Sequence, residues 1–503
     1  MTRNNGIGLS RRAFMLDVSR DRVPTRATLE WLADVLAAAG FNELQLYVEH
    51  TFTYRGHETV WRSASPLTHD DFRWLDDRCA SVGLDLVANM NGFGHMARWL
   101  EHDEYRAMAE CPLGYLSPFD GFLTPPGCLA PTPANARFAV ALAREMALVI
   151  RHHRIHIGAD EPFELGDGAS AADVARRGRD HVYLDHLRRI IEPLVADGHE
   201  VMFWADLFRR DASLIEQVPD GAVAVVWNYE APGVEGWTDH LTPTQTERLG
   251  LPPDASEGFS AHARLFIESG TPFWVAPGTS TWNSIIGRNT NATANIADAV
   301  AVGQAQRCPG ILLTDWGDNG HWQPLAVSLP SIVRAGLAAR TGDLPAADAV
   351  AAMIDEIAGF DSGTGSLIDR LGRIGESLGL SSPNGSPLHA VMTTGTAPTF
   401  GTPDVDAFDA GNRSLLDAIE LFGSGPVGGP RGAIVAREME AACRLAHLGL
   451  RRLCAAHGLE LDGRPARVPE PAEIAPVVEA MRTGWLSSSR PGGLDDSMSK
   501  IRV

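Results

Sequence analysis

The stretch AFMLDVSRDRVPTRATLEWLADVLAAAGFNELQLYV, residues 13–48, decides the fold class. It holds two short apolar runs, 13–18 and 43–48, with a helical pattern between them. The pattern extends from Thr25 to Ala39, and Gly40 provides the signal that commonly ends a helix. Its apolar residues share one helical stripe: Leu29, Leu32, Val35 and Leu36. A strand, a helix and a second strand joined by short connections predict a βαβ unit with parallel strands.

The same alternation continues to about residue 340. Eight short runs of strand-forming residues occur, separated by helix-length segments: 13–18, 43–48, 84–89, 154–157, 201–204, 222–227, 272–276 and 311–314. This alternation is typical of a parallel sheet with crossover helices. Because eight strands close a (β/α) barrel, we predict an α/β fold with a (β/α)8 TIM barrel over residues 1–343.

Beyond about residue 345 the strand-like runs disappear and helical patterns take over. They cover 344–358, 365–379, 408–422 and 432–456. Stretches rich in Pro, Gly and Ser at 381–387 and 423–431 are interpreted as connectors. We therefore predict a mostly helical C-terminal domain over residues 344–503.

The net negative charge of the chain argues against nucleic acids and anionic membranes as binding partners. The 503 residues include 43 Lys and Arg against 63 Asp and Glu, which gives a net charge of −20. Binding to nucleic acid or to anionic membranes needs clustered basic residues, so neither partner is expected. A small oligosaccharide or glycoconjugate substrate that carries little charge fits this acidic chain better. The sequence does not determine the oligomeric state, and a homodimer is one option.

Cysteine spacing and the N-terminus predict a cytoplasmic protein. The six cysteines show neither zinc-knuckle nor CxxC spacing, which favours reduced thiols in the core. Residues 10–16 look like a twin-arginine export signal. An export signal continues with an uninterrupted apolar segment, whereas here Asp17, Arg20, Asp21 and Arg22 follow.

The fourth run ends in His156-Ile157-Gly158-Ala159-Asp160-Glu161. Active sites of these barrels lie at the carboxyl ends of the strands, so this acidic pair stands in the expected place. Other acidic pairs, at 70–71, 76–77 and 103–104, fall in helix-like or exposed contexts and are interpreted as surface. A partly desolvated carboxyl beside a second carboxylate has a raised pKa and suits general acid catalysis.

Aromatic residues follow the last four strands. They are Trp204, Trp227 with Tyr229, Trp282 and Trp316. Aromatic rings bind the C–H faces of sugars, so these positions predict a pyranose pocket. The alternative for each single tryptophan is that it fills the core.

These motifs together resemble family 20 of the glycoside hydrolases. Residues 156–161 resemble its His-x-Gly-Gly-Asp-Glu signature, with Ala159 in place of the second glycine. Residues 12–20 are similar to its first strand, which implies that Arg12 binds the sugar hydroxyls O3 and O4. Residues 316–318 resemble its eighth-strand Trp-x-Glu motif, which implies that Asp318 bonds O4 and O6.

Two further segments resemble the hexosaminidase D-like and streptococcal branch of this family. Residues 89–95 with Trp99 are similar to its third-strand motif and place His95 at the pocket edge or in the packing around it. Residues 490–494 resemble its helical tail. The α/β domain that often precedes the barrel is not expected here. The tyrosine that commonly follows strand seven is missing from 276–282, so Tyr229 is the predicted substitute.

The resemblance implies an exo-acting, retaining β-N-acetylhexosaminidase that removes terminal GlcNAc or GalNAc. Glu161 would serve as acid and base, Asp160 would orient the substrate's acetamido group, and Tyr229 would polarise its oxygen. This chemistry needs no cofactor and no metal, and His153 and His156 point to opposite faces of a strand. Two alternatives stay open: a non-catalytic barrel that binds amino sugars, or a glycosidase for deacetylated or sulfated hexosamines.

Overall fold

Eight parallel strands form a closed barrel in the computed structural model, which describes residues 8–119, 121–209, 211–233, 241–382, 384–398 and 400–502. Each strand pairs with its neighbours along the chain, and the last lies beside the first. The strands are β1 Arg11–Asp17, β2 Glu43–Val48, β3 Asp85–Met90, β4 Arg154–His156, β5 Glu200–Trp204, β6 Ala222–Trp227, β7 Phe273–Ala276 and β8 Gly310–Asp315. The predicted TIM barrel is confirmed, with a strand at each of the eight runs.

The strands correspond to continuous apolar runs in the sequence because both of their faces are buried. Every residue of β2 and of β8 is buried. In the parallel register of β1 and β2, Phe14 lies opposite Leu44 and Leu16 opposite Leu46. A strand covered by helices outside and by side chains inside has no solvent face to alternate towards.

The first predicted helix is confirmed as Arg26–Ala39. The hydroxyl of Thr25 accepts a hydrogen bond from the amide of Thr28 at 3.3 Å, which caps its start. Gly40 ends it with a φ of 97°, a left-handed conformation that suits glycine.

Further helices connect and follow the strands. They are Glu58–Trp61, His69–Ser81, Ala97–Leu100, Asp103–Arg106, Pro133–Ala147, Ala171–Arg177, Arg179–Ala196, Ala212–Ile215, Pro243–Arg248, Phe259–His262, Arg264–Ser269, Asn289–Ala305 and Leu329–Thr341. Short 3-10 turns cover Asp206–Arg209, Ala255–Glu257, Asp318–Gly320 and Leu325–Ser328.

The C-terminal region is helical, as predicted. Its helices are Ala347–Ala358, Thr364–Leu371, Ile374–Ser377, Pro387–Thr394, Val405–Gly423, Gly432–Ala456, Pro471–Ser488 and Leu494–Ser499. The helix predicted over 365–379 is two helices, separated at Gly372. Two helices that start with proline were not predicted, although proline is favoured in the first helical turn.

Three small antiparallel hairpins accompany these elements. They pair Tyr115–Leu116 with Leu123–Thr124, Leu380–Ser381 with Phe400–Gly401, and Glu460–Leu461 with Arg464–Pro465. The expectation that no strands occur beyond residue 345 is therefore wrong for the last two hairpins. Two-residue strands are too short to leave an alternating pattern in the sequence.

The chain divides into two compact units. The first comprises Met1–Ser19, Asn42–Ala276 and Asp298–Leu312, and the second comprises Arg20–Phe41, Pro277–Ala297 and Leu313–Val503. The boundary predicted between residues 343 and 344 stays a prediction. All six cysteines are buried and free. Among the described residues, no helix is both long and apolar enough to cross a membrane.

Candidate active site

The backbone turns sharply where the chain leaves β4 for the acidic pair. Gly158, Ala159 and Glu161 have φ values of 67°, 69° and 48°, in the left-handed region that favours glycine. A Cβ atom on Gly158 would lie 2.6 Å from Cγ of Asn91, so this position requires glycine. Ala159 accepts the same unfavourable φ at the position where the resembled signature has its second glycine.

His156, the last residue of β4, supports this turn from the barrel core. It is fully buried, and its Nδ1 accepts a hydrogen bond from the amide of Gly158 at 3.0 Å. Burial lowers its pKa to about 3, so the ring is neutral at physiological pH. Its ring centroid lies 4.4 Å from that of Trp204. His156 thus orients the turn that leads to the acidic pair.

His95 lies between the two carboxylates of the acidic pair. Its Nε2 is 3.3 Å from Oδ2 of Asp160 and 3.4 Å from Oε2 of Glu161. Burial alone would lower the pKa of His95, but the charge of Asp160 and hydrogen bonds to both carboxylates raise it well above its ordinary value. The ring therefore holds a positive charge more readily than an ordinary histidine and positions the side chains of Asp160 and Glu161.

Asp160 is held as an anion. Nδ2 of Asn91 donates to its Oδ1 at 2.6 Å. Burial alone would raise the pKa of Asp160, but the charge of His95 outweighs burial and lowers the pKa below its ordinary value. A buried carboxylate that stays ionised can stabilise positive charge or accept a hydrogen bond, but it is a poor proton donor.

The other side of His95 faces Glu49, which directly follows β2. Nδ1 of His95 lies 3.7 Å from Oε1 of Glu49, and the hydroxyl of Tyr47 donates to the same oxygen at 3.2 Å. Glu49 is 7% exposed, so its charge is poorly screened by water. The sequence interpretation missed Glu49, although its position immediately after a barrel strand could have identified it.

Gly94 allows His95 to reach this place. A Cβ atom on Gly94 would lie 2.2 Å from the carbonyl oxygen of Asp160, far inside contact distance. His95 itself has a φ of 50°. A residue with a side chain at position 94 would therefore push the segment that carries His95 away from the segment that carries Asp160.

Asp206 supports Glu161 from the next strand exit. Its Oδ2 accepts a hydrogen bond from the backbone amide of Glu161 at 2.9 Å, and its Oδ1 accepts one from Nε1 of Trp227 at 2.5 Å. Burial raises the pKa of Asp206 to about 6, although the charge of Arg209 opposes the shift. Asp206 was not predicted, yet it lies two residues beyond the end of β5, where polar side chains are expected.

Tyr229 belongs to the same network through Trp227. Their rings are stacked, with centroids 5.2 Å apart and an interplanar angle of 19°. The guanidinium carbon of Arg209 lies 4.3 Å from the Trp227 ring, a cation–π contact. Both aromatic residues are half-buried and so expose part of their surface to solvent. The structure thus connects two predicted residues, Trp227 and Tyr229, with Glu161.

The segment that follows the acidic pair is fastened by two glutamates. The carboxylate of buried Glu110 accepts hydrogen bonds from the amides of Gly166, Gly168 and Ser170 and from the Ser170 hydroxyl. Oε1 of Glu164 accepts from the amides of Gly127 and Cys128, and burial raises the pKa of Glu164 to about 7. These contacts fix the chain immediately beyond the acidic pair.

The structure contradicts the role predicted for Arg12. Arg12 is the second residue of β1, and its guanidinium donates to the carbonyl oxygens of Leu9 and Ser10 at 2.7 and 3.2 Å. It therefore lies at the amino end of the strand, roughly 15 Å from the carboxyl end at about 3.3 Å per residue. Active sites of these barrels lie at the carboxyl ends, so Arg12 cannot bind the sugar there.

The tryptophans predicted to line the pocket differ in exposure. Trp204 is 1% exposed and packs against His156, as expected of a ring that fills the barrel core. Its contact with a sugar stays a prediction, whereas Trp227 already presents part of its ring to solvent.

The second unit carries the remaining predicted residues. Trp282 is buried and donates to Oδ1 of Asn384 at 3.0 Å, and Trp316 is 8% exposed. Asp318 lies 3.5 Å from the guanidinium of Arg20, which follows the end of β1. The sequence interpretation chose Arg12 where the structure pairs Asp318 with Arg20.

Asp315, the last residue of β8, belongs to the structural framework of the second unit. Its carboxylate accepts hydrogen bonds from the hydroxyls of Thr279, Thr281 and Ser328 at 2.7 to 2.8 Å. A carboxylate so fully bonded by neutral donors is suited to holding strand ends together.

Comparison with known proteins supports the family resemblance. No protein-family model matches the chain. The chain is similar to human hexosaminidase D, with 23% identity over 319 residues that make up 61% of this chain and 60% of that protein. The match thus covers less than two thirds of the relative's length.

A solved structure shares the fold. The chain is similar to the family 20 chitobiase of Flavobacterium johnsoniae, with a TM-score of 0.54 and 13% identity. The likeness covers 98% of this chain and 78% of that one. At this level of identity the likeness shows a common fold. The sequence relative and the common fold agree with the resemblance to glycoside hydrolase family 20 that the motif after β4 carries.

Proposed function

We propose that the protein is an exo-acting β-N-acetylhexosaminidase that removes terminal β-linked GlcNAc or GalNAc with retention of configuration. One observation carries the proposal: the side chains of the adjacent residues Asp160 and Glu161 lie 3.3 and 3.4 Å from the same nitrogen of His95. Adjacent residues are poorly placed to flank a glycosidic bond as the paired carboxylates of ordinary retaining enzymes do. The arrangement suits the substrate-assisted route instead.

In the first step, Glu161 donates its proton to the glycosidic oxygen as the bond from that oxygen to the anomeric carbon breaks. The carbonyl oxygen of the substrate's own acetamido group attacks the anomeric carbon and forms an oxazolinium-like ring. Asp160, kept ionised by His95, accepts a hydrogen bond from the acetamido N–H and stabilises the positive charge that develops on the ring. Tyr229 donates its hydroxyl proton to a hydrogen bond with the acetamido oxygen and aligns it.

In the second step, Glu161 acts as a base and removes a proton from water. The water oxygen attacks the anomeric carbon from the face that the leaving group vacated, and the ring opens to restore the acetamido group. Two inversions give net retention. The segment fixed by Asp206 and Asn91 keeps both carboxylates in position through the two steps.

Recognition of the non-reducing end of the sugar is a separate part of the proposal. Asp318 is proposed to bond sugar hydroxyls, and Arg20, its ion-pair partner, takes the role that the sequence assigned to Arg12. Trp282 and Trp316 remain candidates for contacts with the sugar. Localisation in the cytoplasm and formation of a homodimer stay predictions from the sequence.

Substitution of the two carboxylates separates their roles. We expect Glu161→Gln to lower kcat on 4-nitrophenyl N-acetyl-β-D-glucosaminide by about 10²-fold or more, as loss of acid–base catalysis does. We expect Asp160→Asn to cause a comparable loss, because the amide cannot stabilise developing positive charge. The matched control is Asp70→Asn, at an exposed aspartate that forms an ion pair with Arg73. Turnover near that of the unmodified protein in either active-site variant would contradict the proposal.

A further inference from the structure

A strongly apolar hairpin projects from the loop between β3 and β4. Its two short strands, Tyr115–Leu116 and Leu123–Thr124, pair with Leu116 opposite Leu123. Four aliphatic and aromatic side chains in this hairpin are at least 69% exposed: Leu113, Leu116, Phe122 and Leu123. We call residues 113–124 the apolar hairpin. Exposed clusters of this kind usually mark a binding surface.

The apolar hairpin contrasts with the rest of the chain in charge. From residue 111 to residue 131 the sequence contains one charged residue, Asp120, which lies outside the described residues. The whole chain is 21% charged and carries a net charge of −20. A neutral apolar surface in so acidic a protein is suited to a neutral apolar ligand.

The tip of the apolar hairpin is attached to the segment of the catalytic acid. The ring of Phe119 packs edge-on against that of Phe163, with centroids 5.2 Å apart and an interplanar angle of 79°. Phe163 is only two residues beyond Glu161. The Phe119 carbonyl oxygen also accepts a hydrogen bond from Nε2 of Gln245 at 3.3 Å.

The chain just after the apolar hairpin is attached to the segment of His95. The amide of Met96, the residue after His95, donates to the carbonyl oxygen of Gly127 at 2.8 Å. The amides of Gly127 and Cys128 in turn donate to Glu164. The tip of the apolar hairpin, through Phe119, and the chain just after it, through Gly127, are therefore tied to the loops that carry Glu161 and His95.

We propose that the apolar hairpin binds the leaving group of the substrate, and that this group carries an extended alkyl or aryl portion. The inference rests on the proposed function, since Glu161 protonates the oxygen through which the leaving group departs. The leaving group must then lie beside the segment that carries Glu161. Leu116 and Phe122 are the residues that would contact its apolar portion and select for it.

Two substrates that differ only in the leaving group test the proposal. Methyl and octyl N-acetyl-β-D-glucosaminides share the sugar, and only the octyl chain is long enough to reach an apolar surface. We expect kcat/KM for the octyl substrate to exceed that for the methyl substrate by about tenfold, the scale of apolar discrimination in enzymes. We expect the double variant Leu116→Ser/Phe122→Ser to reduce this ratio to below about threefold.

A surface control and a measurement of assembly complete the experiment. Leu416→Ser changes a residue of similar kind that is 43% exposed on the helix Val405–Gly423, and it should leave the ratio unchanged. The same ratio in the unmodified protein and the double variant would overturn the inference. So would a double variant that turns a dimer into a monomer in sedimentation without changing the ratio, which would identify a subunit interface.

The proposed function and this inference fail in different ways. If the unmodified protein hydrolyses neither glycoside nor any aryl N-acetylhexosaminide, the proposed function is wrong. If it hydrolyses both glycosides equally well, the function stands and only the role of the apolar hairpin is overturned.

Discussion

Charged side chains are arranged differently at the two ends of β4. At the amino end, Arg154 is 5% exposed and forms ion pairs with fully buried Glu43 and with Glu200, while its guanidinium carbon lies 4.9 Å from the ring of Trp274. At the carboxyl end, four carboxylates surround two cations: Glu49, Asp160, Glu161 and Asp206 around His95 and Arg209.

This difference indicates that the charges at the amino end of β4 stabilise the fold, whereas those at the carboxyl end belong to the candidate active site. Burial raises the pKa of Glu43, and Arg154 compensates the charge, so the pair closes the barrel bottom. At the carboxyl end, the carboxyl groups lie close together and are held by the cations His95 and Arg209, by the Asn91 amide and by a strained backbone. Strain and uncompensated charge at a strand exit are typical of a site selected for activity at a cost in stability.

The largest expected effect is at the amino end. We expect Arg154→Met to lower the free energy of unfolding by about 3–5 kcal/mol, since it leaves Glu43 buried without its partner. Arg151→Met, at an exposed arginine paired with Asp76, should lower the free energy of unfolding far less, because an exposed ion pair contributes little. Urea unfolding measures both.

A second substitution tests the cause of that loss. Adding Glu43→Gln to Arg154→Met removes the uncompensated charge and should recover part of the stability. If Arg154→Met alone costs no more than the exposed control, the amino end does not depend on this pair, and the contrast between the two ends of β4 is lost.

At the carboxyl end the expected effect is on activity. We expect Gly94→Ala to lower kcat/KM on the nitrophenyl substrate by about 10²-fold, because a displacement near 1 Å between catalytic groups has this effect. The added methyl group would collide with the Asp160 carbonyl oxygen. Gly484→Ala is the matched control, since a Cβ atom there meets its neighbours at 3.4 Å or more and its φ is not left-handed. Full activity in Gly94→Ala would mean that the two loops can separate without loss of function.

The smallest effect concerns Asp206 and pH. Its folded pKa of about 6 is raised above the ordinary value of 3.8. The group therefore favours folding below about pH 4, and this contribution is lost as pH rises towards 6. The stability of the unmodified protein relative to Asp206→Asn should fall by about 2 kcal/mol between pH 4 and pH 7. Unfolding measured at several pH values checks this, and a constant difference would show that Asp206 is ionised throughout.

The barrel could be predicted from the sequence because buried parallel strands leave continuous apolar runs of recognisable length. The place of the acidic pair at a strand exit was predictable for the same reason, because it directly follows one of those runs. The roles of this pair, of His95 and of the aromatic residues stay predictions. Short hairpins and the helices that begin at Pro387 and Pro471 leave no comparable pattern.

The missed residues depend on contacts that cross between strands. Asn91 and Asp206 act on the acidic pair through an amide side chain and through the backbone amide of Glu161. Such partners become visible only when neighbouring strand exits are brought together. The choice between Arg12 and Arg20 similarly depends on which end of β1 each occupies, and a motif alone does not distinguish the two ends.

The carboxylate of Glu110 has a consequence for how the site opens. It binds three backbone amides within five residues, Gly166, Gly168 and Ser170, just beyond the acidic pair. Amide protons held in this way exchange slowly with solvent, and their release requires local unfolding. Residues 166–170, just beyond Glu161, are therefore expected to be rigid and not to act as a lid.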